Sequence, residues 1–342
     1  MLTKKEISKI QEHLNNSQNP IFLYDNDLDG LCSFALLSKW IERGKGVAIK
    51  SFPELDETYF KKVQELNGDY IFILDKPLVS KEFLEKAKQN NIPVVWIDHH
   101  ETNQKIPKFV NYLNPTQKGK ENQPTTYLCY EITKQKNNLW ITIAGCISER
   151  FFPKEYKEFI KENQELGIKS QNPFQIYYES KIGKLARMLS FALKDRTSNV
   201  VAMQKILVNA KNPADILDEN QKNKKIHKRF EEINQRYKLL IKNAKAEVQK
   251  SKNKIVLFTY SGDLSVSAEL SNELSYLFKD KIIIVAYLSE FKVNLSGRGK
   301  NAKKILIPII QKFENSSGGG HDEAIGARIM LSDLERLKEE IR

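Results

Sequence analysis

Short apolar runs separated by longer stretches of helical spacing organise the first half of the chain. Residues 20–24, 70–74 and 93–97 form such runs, and each leads through a polar turn into a helix-like segment. Apolar runs bounded by turn residues and joined through helices predict parallel strands with crossover helices. In sheets of that kind, ligands bind beyond the carboxyl ends of the strands. Residues 116–124 read as a polar loop, 139–147 as a further strand, and 155–220 as mainly helical connection.

Ile226, Phe230, Ile233, Tyr237, Leu240, Ala244 and Val248 then recur in steps of three and four, which predicts one long amphipathic helix. Beyond Lys254 the pattern changes again. Residues 255–260, 281–288 and 291–298 read as strands, with helices over 266–278 and 302–313. A glycine-rich turn over 318–321 and a helix-like, small-residue stretch close the pattern. The expectation is an α/β protein in three parts. These are a parallel-sheet domain over 1–180, a helical connector over 181–252, and a smaller α/β domain with a mixed sheet over 253–342.

Composition narrows the class. At 342 residues with 40% hydrophobic positions, the chain can bury two cores, which excludes disorder over most of its length. Cys32, Cys129 and Cys146 are odd in number and lie in apolar or helix-like stretches, so they predict reduced, buried thiols. The first residues form a polar amphipathic helix without a secretory core, and no run approaches the roughly 18 apolar residues of a membrane span. A cytoplasmic protein with no membrane partner is expected. The formal net charge is +12, and residues 205–254 carry 14 Lys/Arg against 6 Asp/Glu. A concentrated basic segment suits a polyphosphate partner, and it equally suits a solvated lysine-rich helix.

Chemistry gathers where the predicted strands end. Asp25, Asp27 and Asp29 alternate after the first run, followed by Gly30. Three carboxylates this close repel one another, and a divalent cation with its preference for anionic oxygen relieves that repulsion. A calcium loop begins similarly, but the glutamate such a loop needs downstream is missing. Asp75 closes the second run, where an aspartate by itself reads as a helix cap. The third run ends in Asp98, His99 and His100, which hold two of the chain's five histidines. Imidazole beside carboxylate suits manganese, zinc or iron(II), with Asp98 placed to hold a second ring nitrogen.

These segments resemble the first three motifs of the DHH phosphoesterases, through Asp27-Leu28-Asp29-Gly30, Asp75, and Asp98-His99-His100. Gly318-Gly319-Gly320-His321 with Ala324-Ile325-Gly326 resembles the signature of the DHH-associated substrate-binding domain. Arg298 stands where that domain's phosphate-contacting arginine lies. The wording around Asp75 and Asp98 is most similar to the compact archaeal RecJ-like proteins.

The resemblance implies two divalent ions, Mn2+ before Mg2+. Asp27 and Asp29 would each hold one ion, Asp75 would bridge them, and His99 would ligate the second. His100 would lie near the scissile phosphate. Glu149 takes the place of the family's fourth-motif aspartate, and Leu23 occupies a position where some members carry histidine, so Asp25 would complete the first shell. Gly318, Gly319, Gly320 and His321 would cradle a phosphate beside Arg298.

The implied activity is exonucleolytic hydrolysis of single-stranded DNA or RNA, with a helicase or a replication or repair protein as a further partner. Two other classes compete. One is a small-substrate oligoribonuclease or phosphatase, which the basic connector disfavours. The other is a non-catalytic replication scaffold, motivated by Leu23 and Glu149.

Overall fold

The structure, a computed structural model, describes residues 2–51, 54–119 and 121–341, apart from the side chains of Lys118 and His321. It divides into two units, Met1–Phe230 and Glu231–Arg342. The first unit holds strands β1 (Pro20–Asp25), β2 (Lys45–Ile49), β3 (Glu54–Leu55), β4 (Tyr70–Leu74), β5 (Leu78–Val79), β6 (Val94–Ile97) and β7 (Val110–Leu113). Its helices are α1 (Lys4–Asn16), α2 (Leu28–Ile41), α3 (Phe60–Glu65), α4 (Lys81–Gln89), α5 (Thr125–Thr133) and α6 (Leu139–Ser148). They continue with α7 (Tyr156–Glu162), α8 (Pro173–Glu179), α9 (Lys181–Leu193), α10 (Thr197–Asn209) and α11 (Ala214–Leu217).

Five of the strands form a parallel sheet in the order β2-β1-β4-β6-β7, as the sequence pattern predicts. The central strands are buried on both faces, which is why they read as continuous apolar runs rather than alternating ones. Ile21, Leu23, Ile71, Ile73, Val94 and Trp96 fill a core with Phe60 and Val63 of α3 and Phe83 and Leu84 of α4. The other face carries Phe22 and Tyr24, whose rings pack on Phe34 of α2 at centroid distances of 5.6 and 5.5 Å. The alternation places Leu23 wholly inside the first core, so its side chain is part of the packing. Strands β2 and β7 escape the sequence pattern because they are the sheet edges, short and only half-buried.

The predicted strand over 139–147 is instead helix α6. All nine residues from Leu139 to Ile147 are buried, and a segment enclosed on every side loses the polar face that reveals helical period. It packs with α2 and α5.

The long helix α12 (Lys224–Lys250) forms as predicted and buries Ile226, Phe230, Ile233, Tyr237, Ala244 and Val248. Ile241 rather than Leu240 completes the stripe, and Leu239 beside it is 66% exposed. The second unit adds β8 (Ile255–Ser261), α13 (Ser267–Leu277), β9 (Ile282–Leu288), β10 (Lys292–Arg298), α14 (Ala302–Ile310), β11 (Ser317–His321), β12 (Ala324–Met330) and α15 (Leu334–Glu340). Its mixed sheet runs β11-β12-β10-β9-β8, parallel only between β8 and β9.

Two sequence expectations are corrected here. The glycine-rich turn is edge strand β11, and the small-residue stretch after it is strand β12, not a helix. Ladder hydrogen bonds to β12 hold the glycine backbone extended where local propensity alone favours a turn. Among the described residues, no helix is long and apolar enough to cross a membrane.

Gly30 ties the sheet to the start of α2. A Cβ built there would lie 2.4 Å from the carbonyl oxygen of Asp25 and 2.9 Å from its nitrogen, both backbone atoms that cannot swing away. Gly30→Ala is expected to cost about 1–3 kcal/mol by forcing β1 and α2 apart. Urea denaturation checks this, and an unchanged midpoint would contradict the close packing.

Candidate metal centre

Three chain segments deliver acidic or imidazole groups to the carboxyl end of the parallel sheet. Asp25 is the last residue of β1, and Asp27 caps α2, its Oδ1 accepting from the Gly30 amide at 2.9 Å. Asp29 sits in the first turn of α2 with no exposed surface. Its carboxylate accepts the backbone amides of Thr125 at 2.9 Å and Thr126 at 2.7 Å, so the start of α5 holds the charge in place.

Asp75 follows β4 with φ of 59°, a left-handed conformation that turns its side chain out of the strand direction. Its amide donates to the Ile97 carbonyl at 3.0 Å, and its Oδ1 accepts the Thr125 hydroxyl at 3.1 Å. Asp98, His99 and His100 follow β6, with the Asp98 amide bonded to the Leu113 carbonyl of β7 at 3.0 Å.

The side chains converge. His99 Nε2 lies 3.3 Å from Asp75 Oδ1 and 3.7 Å from Asp29 Oδ2. His100 Nδ1 lies 2.8 Å from Asp98 Oδ1 and 3.9 Å from Asp75 Oδ1. Potential ligand atoms of Asp75, His99 and His100 all fall within 4.8 Å of one another. The carboxylate–imidazole pairing expected of Asp98 forms with His100, not His99. His99 Nδ1 is bonded to Asn122 Oδ1 at 2.8 Å instead. With that amide oxygen as acceptor, Nδ1 donates to Asn122 and Nε2 faces Asp75 and Asp29, carrying a proton that a cation would displace.

The electrostatics describe a site short of positive charge. Burial, and then the charges of Asp75, Asp25, Glu149 and Asp29, push the Asp27 carboxyl well above the ordinary range. Burial and Asp75 do the same to Asp29, against the opposing pull of His99. Burial raises Asp25 despite Lys76, and raises Asp98 despite His100. Burial would raise Asp75 too, but the hydrogen bond and charge of His99, with His100, hold it below its usual value. Burial opposes protonation of His99, yet Asp75, Asp29 and Asp98 lift it well above the ordinary imidazole range. His100 is raised likewise by Asp98.

Sequence reasoning missed the groups that support this arrangement. Lys76 is fully buried, and its ammonium donates to Asp25 Oδ1 at 2.8 Å and to the Ser51 carbonyl at 2.7 Å. A lysine directly after a strand-end aspartate was the available signal. Asn114 donates to the His100 carbonyl at 2.8 Å, and Asn122 lies within the segment read only as polar loop. Thr125 and Thr126 open a helix directly after Pro124, a helix-start signal that carries no hint of Asp29.

The expected strand before Glu149 is corrected. Glu149 caps the end of helix α6 and is exposed, while its charge still reaches Asp27 and Asp29.

The second unit holds the remaining candidates. Arg298 ends β10, its Nε donating to Asn272 Oδ1 at 2.6 Å and its Nη1 to the carbonyls of Gly297 and Ile325 at 2.9 and 3.0 Å. Gly318, Gly319 and Gly320 lie in β11, and Gly320 has φ of 137° with room for no side chain, since a Cβ would meet the Ala324 carbonyl at 2.2 Å. Arg298 and His321 both pair in register with Ala324, from opposite sides of β12. The His321 side chain lies outside the described residues.

A parallel sheet gathering aspartates and the Asp98-His99-His100 triplet at its carboxyl end is the DHH phosphoesterase architecture. Residues 21–150 match the DHH family, N-terminal domain, so this stretch of the chain is a DHH-family domain. Among solved structures, the chain is similar to RecJ in complex with Mn2+ from Thermus thermophilus, with a TM-score of 0.72 and 13% identity. That likeness covers 98% of this chain and 53% of the RecJ chain, so this chain spans about half the length of the Thermus protein. An exonuclease RecJ bound to manganese matches with a TM-score of 0.66 and 13% identity, over 98% of this chain and 92% of the other. CDC45 from Entamoeba histolytica gives 0.55 and 10%, over 98% of each chain. At these identities the shared feature is the fold. No curated protein matches the chain in sequence.

The donor set fits divalent cations. Hard carboxylate oxygens stand beside imidazole, and the Asn26 side-chain oxygen between Asp25 and Asp27 is buried without a hydrogen-bond partner among the described residues. A cation would take the place of the protons that the raised carboxyls now favour.

The sign of the pH dependence follows. His99, His100, Asp27 and Asp29 have raised values, so in chelator the folded state binds more protons than the unfolded chain. Their contribution is present in full below the unfolded values and is lost as pH rises through the folded ones. Asp75 acts oppositely, but only in the acid range below its ordinary value. The melting temperature in chelator is therefore expected to fall as pH rises above about 6.5, and Mn2+ to raise it more at pH 8 than at pH 6. A melting temperature independent of both pH and Mn2+ would contradict the charge assignment.

Proposed function

We propose that this chain is a divalent-metal phosphodiesterase that hydrolyses single-stranded nucleic acid from an end, releasing nucleoside monophosphates. The convergence of Asp75 and Asp29 on His99 Nε2, at 3.3 and 3.7 Å and from three distant segments, carries the reading. The DHH domain and the RecJ-like fold support it.

In this reading the site would take two ions, Mn2+ by preference and Mg2+ as substitute. Asp25, Asp27, Asp29, Asp75 and His99 would hold them, with the exposed Glu149 as a further carboxylate. Bound there, divalent ions make water nucleophilic near neutral pH and counter the charge on the phosphoryl oxygens. The residues do the rest. The start of α5 aims the Asp29 carboxylate through two amide donors. Lys76 offsets one carboxylate and fixes Asp25. His100, its Nδ1 held by Asp98, leaves Nε2 as the group to exchange a proton or hydrogen bond with a phosphate oxygen. In the second unit, Arg298 and strand β11 are assigned to a substrate phosphate.

End-labelled single-stranded DNA and RNA of 20 nucleotides, and matched trinucleotides, incubated with Mn2+ test the reading. Progressive loss of monophosphates from one end is expected, faster on the long strand than on the trinucleotide. Asp75→Asn should reduce turnover by about 10³-fold or more while leaving the fold intact. Faster turnover of the trinucleotide would move the chain to the small-substrate class. No cleavage of either, with no Mn2+ bound, would leave the scaffold reading.

A further inference from the structure

A cavity of about 1290 Å³ runs along edge strand β2, between it and helices α2, α3 and α10, and none of the roles assigned so far uses it. It exceeds the roughly 300–1,000 Å³ of ordinary small-molecule pockets. Its lining holds seven Lys/Arg and two Glu. The side chain of Lys39 donates to the carbonyls of Val208 and Ala210, and that of Arg43 to Ser17 and Ile41. Carbonyl partners orient a cation without cancelling its charge. Glu65 pairs with Lys62 at 2.5 Å, so one of the two acids already has its counter-ion. Lys50, Lys205 and Lys211 are exposed along the cavity, above an apolar floor that includes Val47, Val201 and Val208.

One lining residue, Lys50, sits at the end of β2 that flanks Asp25. Ile49 pairs in register with Asp25, so Lys50 stands directly beyond the carboxyl end of the sheet. The next residue, Ser51, gives its carbonyl to the Lys76 ammonium, which in turn holds Asp25. A positive groove that has Lys50 flanking a phosphodiesterase centre and lies wholly in the first unit has the charge to take a polyanion away from that centre.

We infer that the β2 groove binds the phosphate backbone of the single strand beyond the residue being cleaved, through Lys50, Lys205 and Lys211. This rests on nucleic acid being the substrate and adds where the rest of the strand lies. The shared chemistry is the polyphosphate backbone, so DNA and RNA are tested side by side.

Binding of fluorescein-labelled dT20 and rU20 to the full chain is measured by anisotropy in chelator, at several salt concentrations. Reading binding without metal separates the groove from catalysis, because a chain that binds through it and cuts nothing would lose the proposed activity but keep the groove. The triple variant Lys50→Ala/Lys205→Ala/Lys211→Ala changes exposed residues only, and an unchanged melting temperature confirms its fold.

It is expected to weaken binding of both strands, or of whichever strand binds, by about tenfold or more. The magnitude of the slope of log affinity against log salt should fall by about 2, at roughly 0.7 per single-strand phosphate contact. Affinity and slope unchanged from the parent would overturn the inference, whether or not the variant loses an acidic protein partner. So would a parent chain that binds neither strand.

Discussion

Mutual repulsion of carboxylates at the end of a buried sheet governs this molecule. Asp25, Asp27, Asp29, Asp75 and Asp98 are brought together at the carboxyl end that parallel strands β1, β4 and β6 share. Leaving any one of them charged and uncompensated in a low-dielectric setting would cost several kcal/mol. The fold answers with local sources of positive potential. Among them are the Lys76 ammonium, two imidazoles, the first amides of α5, the Gly30 amide and the hydroxyl of Thr125. They meet only part of the demand, since four of the five carboxyls still sit above their ordinary values. A site that remains hungry for positive charge after folding is a site built for cations.

The same balance explains how the departures from the family pattern are accommodated. Leu23 lies in the hydrophobic core and offers nothing to a cation, while Asp25, two residues later, is fixed by a lysine that sequence reasoning passed over. Glu149 stands at the end of a helix and is exposed, and its charge is felt by Asp27 and Asp29 from there instead of from a strand end. Both changes alter which group supplies a charge without altering where the charges meet.

The candidate centre was legible to the extent that its ligands fall at the ends of strongly apolar runs. Strands β1, β4 and β6 announce themselves by continuous burial, and the acidic groups follow them at once. Edge strands β2 and β7 carry no such signal, and the β2 groove was invisible for that reason. Helix α6 read as a strand because every side of it is buried, and β11 read as a turn because glycine propensity was overruled by pairing with β12. Asn122, Thr125 and Thr126 were unreadable for a different reason. Their roles depend on meeting His99 and Asp29 across the fold, and neutral polar residues in a loop or helix start give no local sign of that.

Isothermal titration of Mn2+ at pH 7 in buffers of different ionisation enthalpy tests the central claim most directly, because it counts ions and protons together. The charge-starved cluster predicts two Mn2+ ions bound per chain with net release of protons, as metal replaces the protons on His99 and the raised carboxyls. No binding at millimolar Mn2+, or binding with no proton released, would contradict it.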